Sequence, residues 1–311
     1  MTVAESISWL LSHDDYLLLT HQRPDGDTLG SAAALCRALQ RLGKTAWLFP
    51  NTQITENYID YVRDYLAPEG YAHKCVIAVD IAEKKLFPIG YEGEADICFD
   101  HHPTNSHYAK HLVLAADCAA CGELILQVIH ELTDEIDRET ADMLYIAIST
   151  DTGCFCYANT NANTFRAAAE LLDAGADNAS INKAIFRTVS AERLMLEGMI
   201  YASLRRFRDG AVNFAVVTLE MMQRSGATEN DCDDLASLAG KVRGSRVSVT
   251  VRELEANRCK ISVRTGKEVS AARICAQFEG GGHAMAAGCE IAADPDKAVE
   301  MLLQAINEEW K

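Results

Sequence analysis

A chain of 311 residues, 49% of them apolar, holds enough material for two domains, yet no run of about 18 apolar residues occurs and none reads as a membrane span. The formal net charge of −16 argues against a partner as long as duplex nucleic acid. Eleven cysteines, odd in number and scattered through apolar runs, exclude a small secreted disulfide scaffold and read as the reduced thiols of a cytoplasmic protein.

Met1–Leu11 lacks a basic segment and carries Glu5, so it does not read as a signal peptide. Tyr16–Thr20 reads as a strand and Thr28–Leu42 as a helix, with Leu29, Ala33, Cys36, Leu39 and Leu42 on about one face. Ala46–Phe49, Cys75–Val79 and Ile97–Phe99 are further strands; Gly122–Leu132, Glu139–Ile148 and Thr164–Ala174 are helices, the last stopped at Gly175. This alternation predicts an α/β fold, a mostly parallel sheet covered by helices over residues 1–186. Asn182–Arg206 reads as one long helix, its 187–206 part linking to a smaller mixed α/β domain over 207–311. There, Ala211–Leu219, Arg246–Glu253 and Lys260–Arg264 read as strands and Val269–Phe278 and Asp296–Glu308 as helices, with Gly280-Gly281-Gly282 in a loop.

The acidic residues fall at strand ends. His21 follows the first strand, Asp80 ends Cys75-Val-Ile-Ala-Val, and Asp100 ends Ile97-Cys-Phe. Ligands of open α/β sheets bind beyond the carboxyl ends of the strands, so three strands deliver metal-capable side chains to one edge. One Asp after a strand is ordinarily a turn or a helix cap. Three, each joined to further Asp or His, are not explained that way.

His21, Asp25 and Asp27 share a tight loop entering a helix, where Gly26 lets the chain bend and Asp27 is placed to cap. Asp100-His101-His102-Pro-Thr-Asn105 puts adjacent histidines on an extended segment, pointing different ways. Ser149-Thr150-Asp151-Thr152-Gly153 adds a third cluster. His21, Asp25, Asp27, Asp80, His101 and Asp151 are too many ligands for one ion with open positions and suit two ions sharing a carboxylate. Mixed imidazole and carboxylate donors favour Mn²⁺, with Mg²⁺ or Co²⁺ as substitutes. Two such ions about 3.5–4 Å apart clamp a phosphoryl group, so the expected reaction is phosphoester hydrolysis. Cys118-Ala-Ala-Cys121 has the spacing of half a zinc site, but no second CxxC completes it.

Charge divides unevenly: residues 1–185 carry a net −15 and residues 186–311 a net −1. Lys241–Arg273 holds nine basic residues against three acidic ones. An acidic, metal-holding half beside a locally basic segment suits a small anionic substrate, although solvated strand faces account for most of these arginines.

The motifs HxxPDGD…GS (21–31), VD (79–80), DHHPTN (100–105) and STDTG (149–153), followed by Gly280-Gly281-Gly282-His283…Ala287-Gly288, resemble those of the DHH/DHHA1 phosphoesterases in order and spacing. The resemblance implies a two-metal enzyme that removes mononucleotides from short oligonucleotides and hydrolyses 3′-phosphoadenosine 5′-phosphate. It implies His21, Asp25 and Asp80 on one ion, Asp27, Asp80, His101 and Asp151 on the other, and Asp80 as the bridge. It implies that His102 meets the scissile phosphate while Asp100 orients a histidine from behind. Gly280, Gly281 and Gly282 would bring backbone N–H groups to substrate, with Arg264 and His283 on the far phosphate. One departure is Phe155-Cys156-Tyr157, where relatives carry a basic middle residue. Alternatives are a phosphodiesterase for pApA or cyclic dinucleotides, a manganese pyrophosphatase (no Ser-Arg-Lys-Lys run occurs after residue 186) and an inactive nucleotide-binding protein. A homodimer is compatible with the apolar character of the interdomain helix.

Overall fold

The computed structural model describes residues 1–133, 135–232 and 235–310. Contacts divide the chain into two compact units, Met1–Thr188 and Val189–Lys311.

The first unit runs α1 (Val3–Ser12), β1 (Tyr16–Leu19), α2 (Gly26–Arg41), β2 (Ala46–Leu48), α3 (Glu56–Val62), β3 (Cys75–Val79), β4 (Ile97–Asp100), β5 (His111–Leu114), α4 (Cys121–Leu132), α5 (Arg138–Asp151), α6 (Ala162–Asp173) and α7 (Asn178–Phe186). Its five strands lie in the order β2-β1-β3-β4-β5, all parallel. The central strands are buried along their whole length, as continuous apolar runs such as Tyr16-Leu-Leu-Leu and Cys75-Val-Ile-Ala-Val require when both faces are covered. Leu18, Ile77 and Phe99 pack with Leu29, Leu35, Leu144 and Ile148 in one core cluster. Leu17, Leu19, Val76 and Cys98 form a smaller cluster with Ile81 and Phe87.

Gly30 in α2 lets this helix lie directly on α5: a β-carbon there would stand 2.3 Å from the Met143 carbonyl oxygen. Arg37 of α2 clamps the start of α5, its guanidinium 2.6–3.1 Å from Asp137 and 2.7 Å from Glu139. Asp137 caps α5 by accepting from the Thr140 N–H.

The second unit runs α8 (Ala191–Ala202), β6 (Arg205–Phe207), β7 (Val212–Val217), α9 (Leu219–Ser225), β8 (Val247–Glu255), β9 (Arg258–Thr265), α10 (Ala271–Ala276), β10 (Gly281–His283), β11 (Ala286–Ile291) and α11 (Pro295–Glu309). Its mixed sheet has the order β10-β11-β9-β8-β7-β6. Val249, Ile261 and Val263 pack beneath Ile274, Leu302 and Ile306.

Two expectations change. Asn182–Arg206 is not one helix: α7 ends at Phe186, and α8 begins after Ser190, whose hydroxyl caps it by accepting from the Arg193 N–H. α8 is no free linker either, since Leu196 and Ile200 pack on Ala215, Val217 and Leu238 of the second unit. Of the glycine run, only Gly280 stays in a loop. Gly281–His283 form an edge strand paired antiparallel with Ala286–Gly288.

Candidate metal centre

The ends of β1, β3 and β4 stand side by side, and the polar residues that follow them meet there. His21 is the second residue past β1. Its Nδ1 lies 2.9 Å from the Gln22 carbonyl, which leaves Nε2 facing Asp25 Oδ1 at 3.5 Å and Asp80 Oδ2 at 3.9 Å. Asp25, not Asp27, caps α2: its Oδ1 accepts from the N–H groups of Asp27 and Thr28. Gly26 keeps ordinary helical φ. Its need is space, because a β-carbon would come within 2.5 Å of the Thr150 side chain.

Thr28 joins two of the motifs, its hydroxyl donating to the Val79 carbonyl at 2.8 Å while accepting from the His21 N–H. Asp27, freed from capping, is 1% exposed and accepts from Ser31 Oγ, Cys121 N–H and Gly122 N–H.

Asp80 takes a left-handed conformation (φ 59°), which Asp tolerates better than most residues, and its N–H donates to the Phe99 carbonyl. Its two oxygens face opposite ways: Oδ2 toward His21, Oδ1 toward His101 Nε2 at 3.6 Å. His101 Nδ1 lies 3.2 Å from the Cys118 carbonyl, and Nε2 sits 3.7 Å from both Asp27 Oδ2 and Asp151 Oδ2. A ring nitrogen spent on a carbonyl fixes the tautomer and leaves the other as an acceptor. His102 also borders Asp80, with Nδ1 3.4 Å from Oδ1. Its Nδ1 bonds Asp100 Oδ1 at 2.7 Å, and Asp100 also accepts from the His101 and His102 N–H groups and from Asn105 Nδ2.

Among the described residues three candidate ligand groups therefore adjoin, His21/Asp25/Asp80, Asp27/His101/Asp151 and Asp80/His101/His102, each with donor atoms within 4.8 Å of one another. Burial, and then the charges of its carboxylate neighbours, pushes the Asp80 carboxyl well above its usual range. The same causes raise Asp27, with Asp151 and Asp25 as its chief neighbours. Among the described residues no lysine or arginine pairs with Asp25, Asp27, Asp80 or Asp151. Asp80 Oδ1 and His101 Nε2 are buried without a hydrogen-bond partner, a costly arrangement that a cation between them resolves. The donor set of carboxylate oxygens and imidazole nitrogens fits divalent metal.

In the second unit, Arg264, Gly281 and Gly282 line a depression of about 500 Å³ together with Lys260, Ser262 and Gly288. Gly280 lies behind it, where a β-carbon would stand 2.4 Å from Gly288 O and Cys289 Cβ. His283 is exposed on the edge strand. Arg246, Arg252, Arg258 and Arg273 are ion-paired with glutamates, as the reading of solvated strand faces anticipates. Arg264 makes no ion pair among the described residues and donates to its neighbour's carbonyl, that of Val263.

Sequence reasoning assigned no role to Ser31, Asn105 or Asn159, nor to the backbone of Cys118–Gly122. Asn105 stood inside the quoted DHHPTN motif, and its side chain, 2.6 Å from Asp100, was the available signal. The divergent Phe155-Cys156-Tyr157 follows a left-handed turn (φ 54° to 64° at Gly153, Cys154 and Phe155), with Cys156 exposed and the Phe155 ring stacked on Phe165.

These features define an α/β unit with a candidate carboxylate–imidazole metal site, followed by a mixed sheet that carries a glycine edge. The DHH family N-terminal domain matches residues 16–148 and the DHHA1 domain residues 211–311. The chain is 35% identical, over 94% of its length and 89% of the relative's, to the bifunctional oligoribonuclease and PAP phosphatase NrnA of Thermus thermophilus. It is 24% identical to the NrnA of Bacillus subtilis, with 92% of each covered. An exopolyphosphatase-related protein from Bacteroides fragilis has the same fold, with a TM-score of 0.88 over 98% of this chain and 95% of that one, at 23% identity. The chain belongs to the DHH/DHHA1 family.

Proposed function

We propose that this protein is a manganese-dependent phosphoesterase that hydrolyses short oligonucleotides to mononucleotides and 3′-phosphoadenosine 5′-phosphate to AMP. One observation carries the reading: a single buried carboxylate, Asp80, faces His21 with one oxygen and His101 with the other, between two ligand groups. His21, Asp25 and Asp80 would hold one ion, and Asp27, Asp80, His101 and Asp151 the second. When bound, such ions supply Lewis-acid polarisation of a phosphoryl group and acidify a water molecule. His102, raised in pKa first by its bond to Asp100, offers an N–H to a phosphoryl oxygen, and Asp100 fixes its ring. Arg264, whose guanidinium is not spent on an acid, would take a terminal phosphate, with Gly281 and Gly282 lining the same depression, Gly280 packed behind it and His283 on the adjoining edge strand.

The similarity to NrnA proteins over nearly the whole chain favours this substrate class over pyrophosphate. A cytoplasmic location fits eleven free thiols, and among the described residues no helix is long and apolar enough to cross a membrane. A homodimer belongs to the same reading, with Leu194, Met195 and Tyr201 exposed on α8; sedimentation of the purified protein tests it. The function is tested by incubating the protein with Mn²⁺ and pApA, pAp, cyclic di-AMP or a 24-mer. Release of AMP from pApA and pAp is expected, and no release from either with any divalent metal overturns the proposal. Cyclic di-AMP as the best substrate would select the signalling alternative.

A further inference from the structure

The short segment Cys118–Gly122, which leads from β5 into α4, touches two members of one ligand group directly. The Cys118 carbonyl meets His101 Nδ1 at 3.2 Å. The N–H groups of Cys121 and Gly122, at the start of α4, hold the two oxygens of Asp27 at 2.7 and 2.9 Å. The third member, Asp151, reaches the segment only through another residue. Asn159 donates from Nδ2 to the Ala119 carbonyl at 3.0 Å and to the Asp151 carbonyl at 3.1 Å.

That second bond matters because of where Asp151 lies. It is the last residue of α5, so its carbonyl is among those that a helix end leaves without an amide of the next turn. The chain then turns left-handed at Gly153, Cys154 and Phe155, and the Phe155 N–H goes to Thr152 Oγ1 instead. Asp151 is also the more exposed member, its side chain 33% accessible against 1% for Asp27 and 12% for His101. Asp27 and His101 are held by backbone groups, which no side-chain substitution removes. For Asp151 the hold is on its main-chain carbonyl, at the end of α5, by the single amide of Asn159.

We infer that Asn159 is a positioning residue for the second ion, tying Asp151 to the same Cys118–Gly122 segment that holds Asp27 and His101. The inference rests on the two-ion reading of the site. It assigns no chemistry to the thiols of Cys118 and Cys121, whose segment acts through its backbone. Groups that orient metal ligands ordinarily contribute about 10–100-fold in affinity.

Manganese binding, followed by calorimetry and by electron paramagnetic resonance of free Mn²⁺ without substrate, provides the test. The wild-type protein is expected to bind two ions. Asn159→Ala is expected to weaken one of them by about tenfold or more and leave the other within about twofold. Asn159→Leu removes the donor at similar size without adding charge, so it should weaken the same ion by a similar factor; it also serves if the alanine variant folds poorly. A purely structural role would lower the melting temperature and leave the isotherm unchanged. Two ions bound by Asn159→Ala or by a folded Asn159→Leu with wild-type affinities overturn the inference while the proposed function stands. A wild-type protein that binds fewer than two ions overturns the two-ion reading and this inference with it.

Discussion

The two ends of the candidate machinery are built in opposite ways. In the first unit, Asp27, Asp80 and Asp100 are at most 4% exposed, and Asp27 and Asp100 have hydrogen bonds to both oxygens. In the second, Gly281, Gly282 and His283 lie open on an edge strand, and Arg264 has no acidic partner among the described residues. Burial with many bonds preorganises charge for a reaction and stores electrostatic cost in the fold. An exposed, lightly held edge leaves donors ready for an anionic ligand at little cost to stability. Changes in the first region should therefore move chemistry and stability together, and changes at the open positions of the second, Gly281 and Arg264, should move binding alone.

The sharpest way to break this contrast is Asp80→Asn. It is expected to lower kcat on pApA by at least about 10²–10³-fold. It should also raise the stability of the metal-free protein by about 1–2 kcal/mol, because a buried carboxylate repelled by its neighbours is removed. Thermal melting in chelator checks the second effect; a fall in melting temperature would mean that the carboxylate cluster is not strained. Next in size is Gly280→Ala, where the new methyl meets Gly288 O and Cys289 Cβ at 2.4 Å, so a loss of about 1–3 kcal/mol is expected in denaturant unfolding. Gly281→Ala, with nothing within 4 Å, should stay within about 0.5 kcal/mol. Equal losses for the pair would show that the glycine edge is more tightly built than it looks.

Arg37→Ala probes the scaffold that aligns α2 with α5 and should cost about 1–2 kcal/mol at neutral pH. Burial pushes the Asp137 carboxyl up, but its bonds to Arg37 outweigh this and hold it well below the usual carboxylate range. A depressed folded-state pKa gives stability that is complete above the unfolded value of about 3.9 and is lost as pH falls through the folded one. The substitution should therefore remove part of the stability loss below about pH 4, read from melting temperature against pH. Smallest in its effect on the fold is Arg264→Ala. It should raise KM for pApA about tenfold, with kcat little changed and stability within about 0.5 kcal/mol. Loss of kcat at unchanged KM would move Arg264 from substrate binding to the reaction itself.

Much of the sheet was legible because β1, β3 and β4 are continuous apolar runs ending in a polar residue, a pattern that survives without neighbours. Other features were not, among them two edge strands and a helix break. β5 (His111-Leu-Val-Leu) is an edge strand with one buried residue, so it lacks the run that marks its neighbours. β10 is made of Gly-Gly-His, poor strand formers that pair because β11 offers them a partner. The break between α7 and α8 depends on which face of each helix finds a core, and periodicity alone carries through it.

By itself the sequence determined which residues could form the candidate site: six carboxylate and imidazole residues, placed after strands and at helix ends, which the fold brings together. It also contained the motifs that place the chain in its family. The tertiary structure decided how each residue is used. Asp25 rather than Asp27 became the cap, since Asp27 is drawn inward by the N–H groups at the start of α4, 94 residues further along the chain. Asp100 took His102 rather than His101, because His101 Nδ1 is engaged by the Cys118 carbonyl. Cys118–Gly122 and Asn159 acquired their places through backbone groups and one amide. Main-chain donors and acceptors are the same at every position, so no residue letter records which of them will point at a ligand.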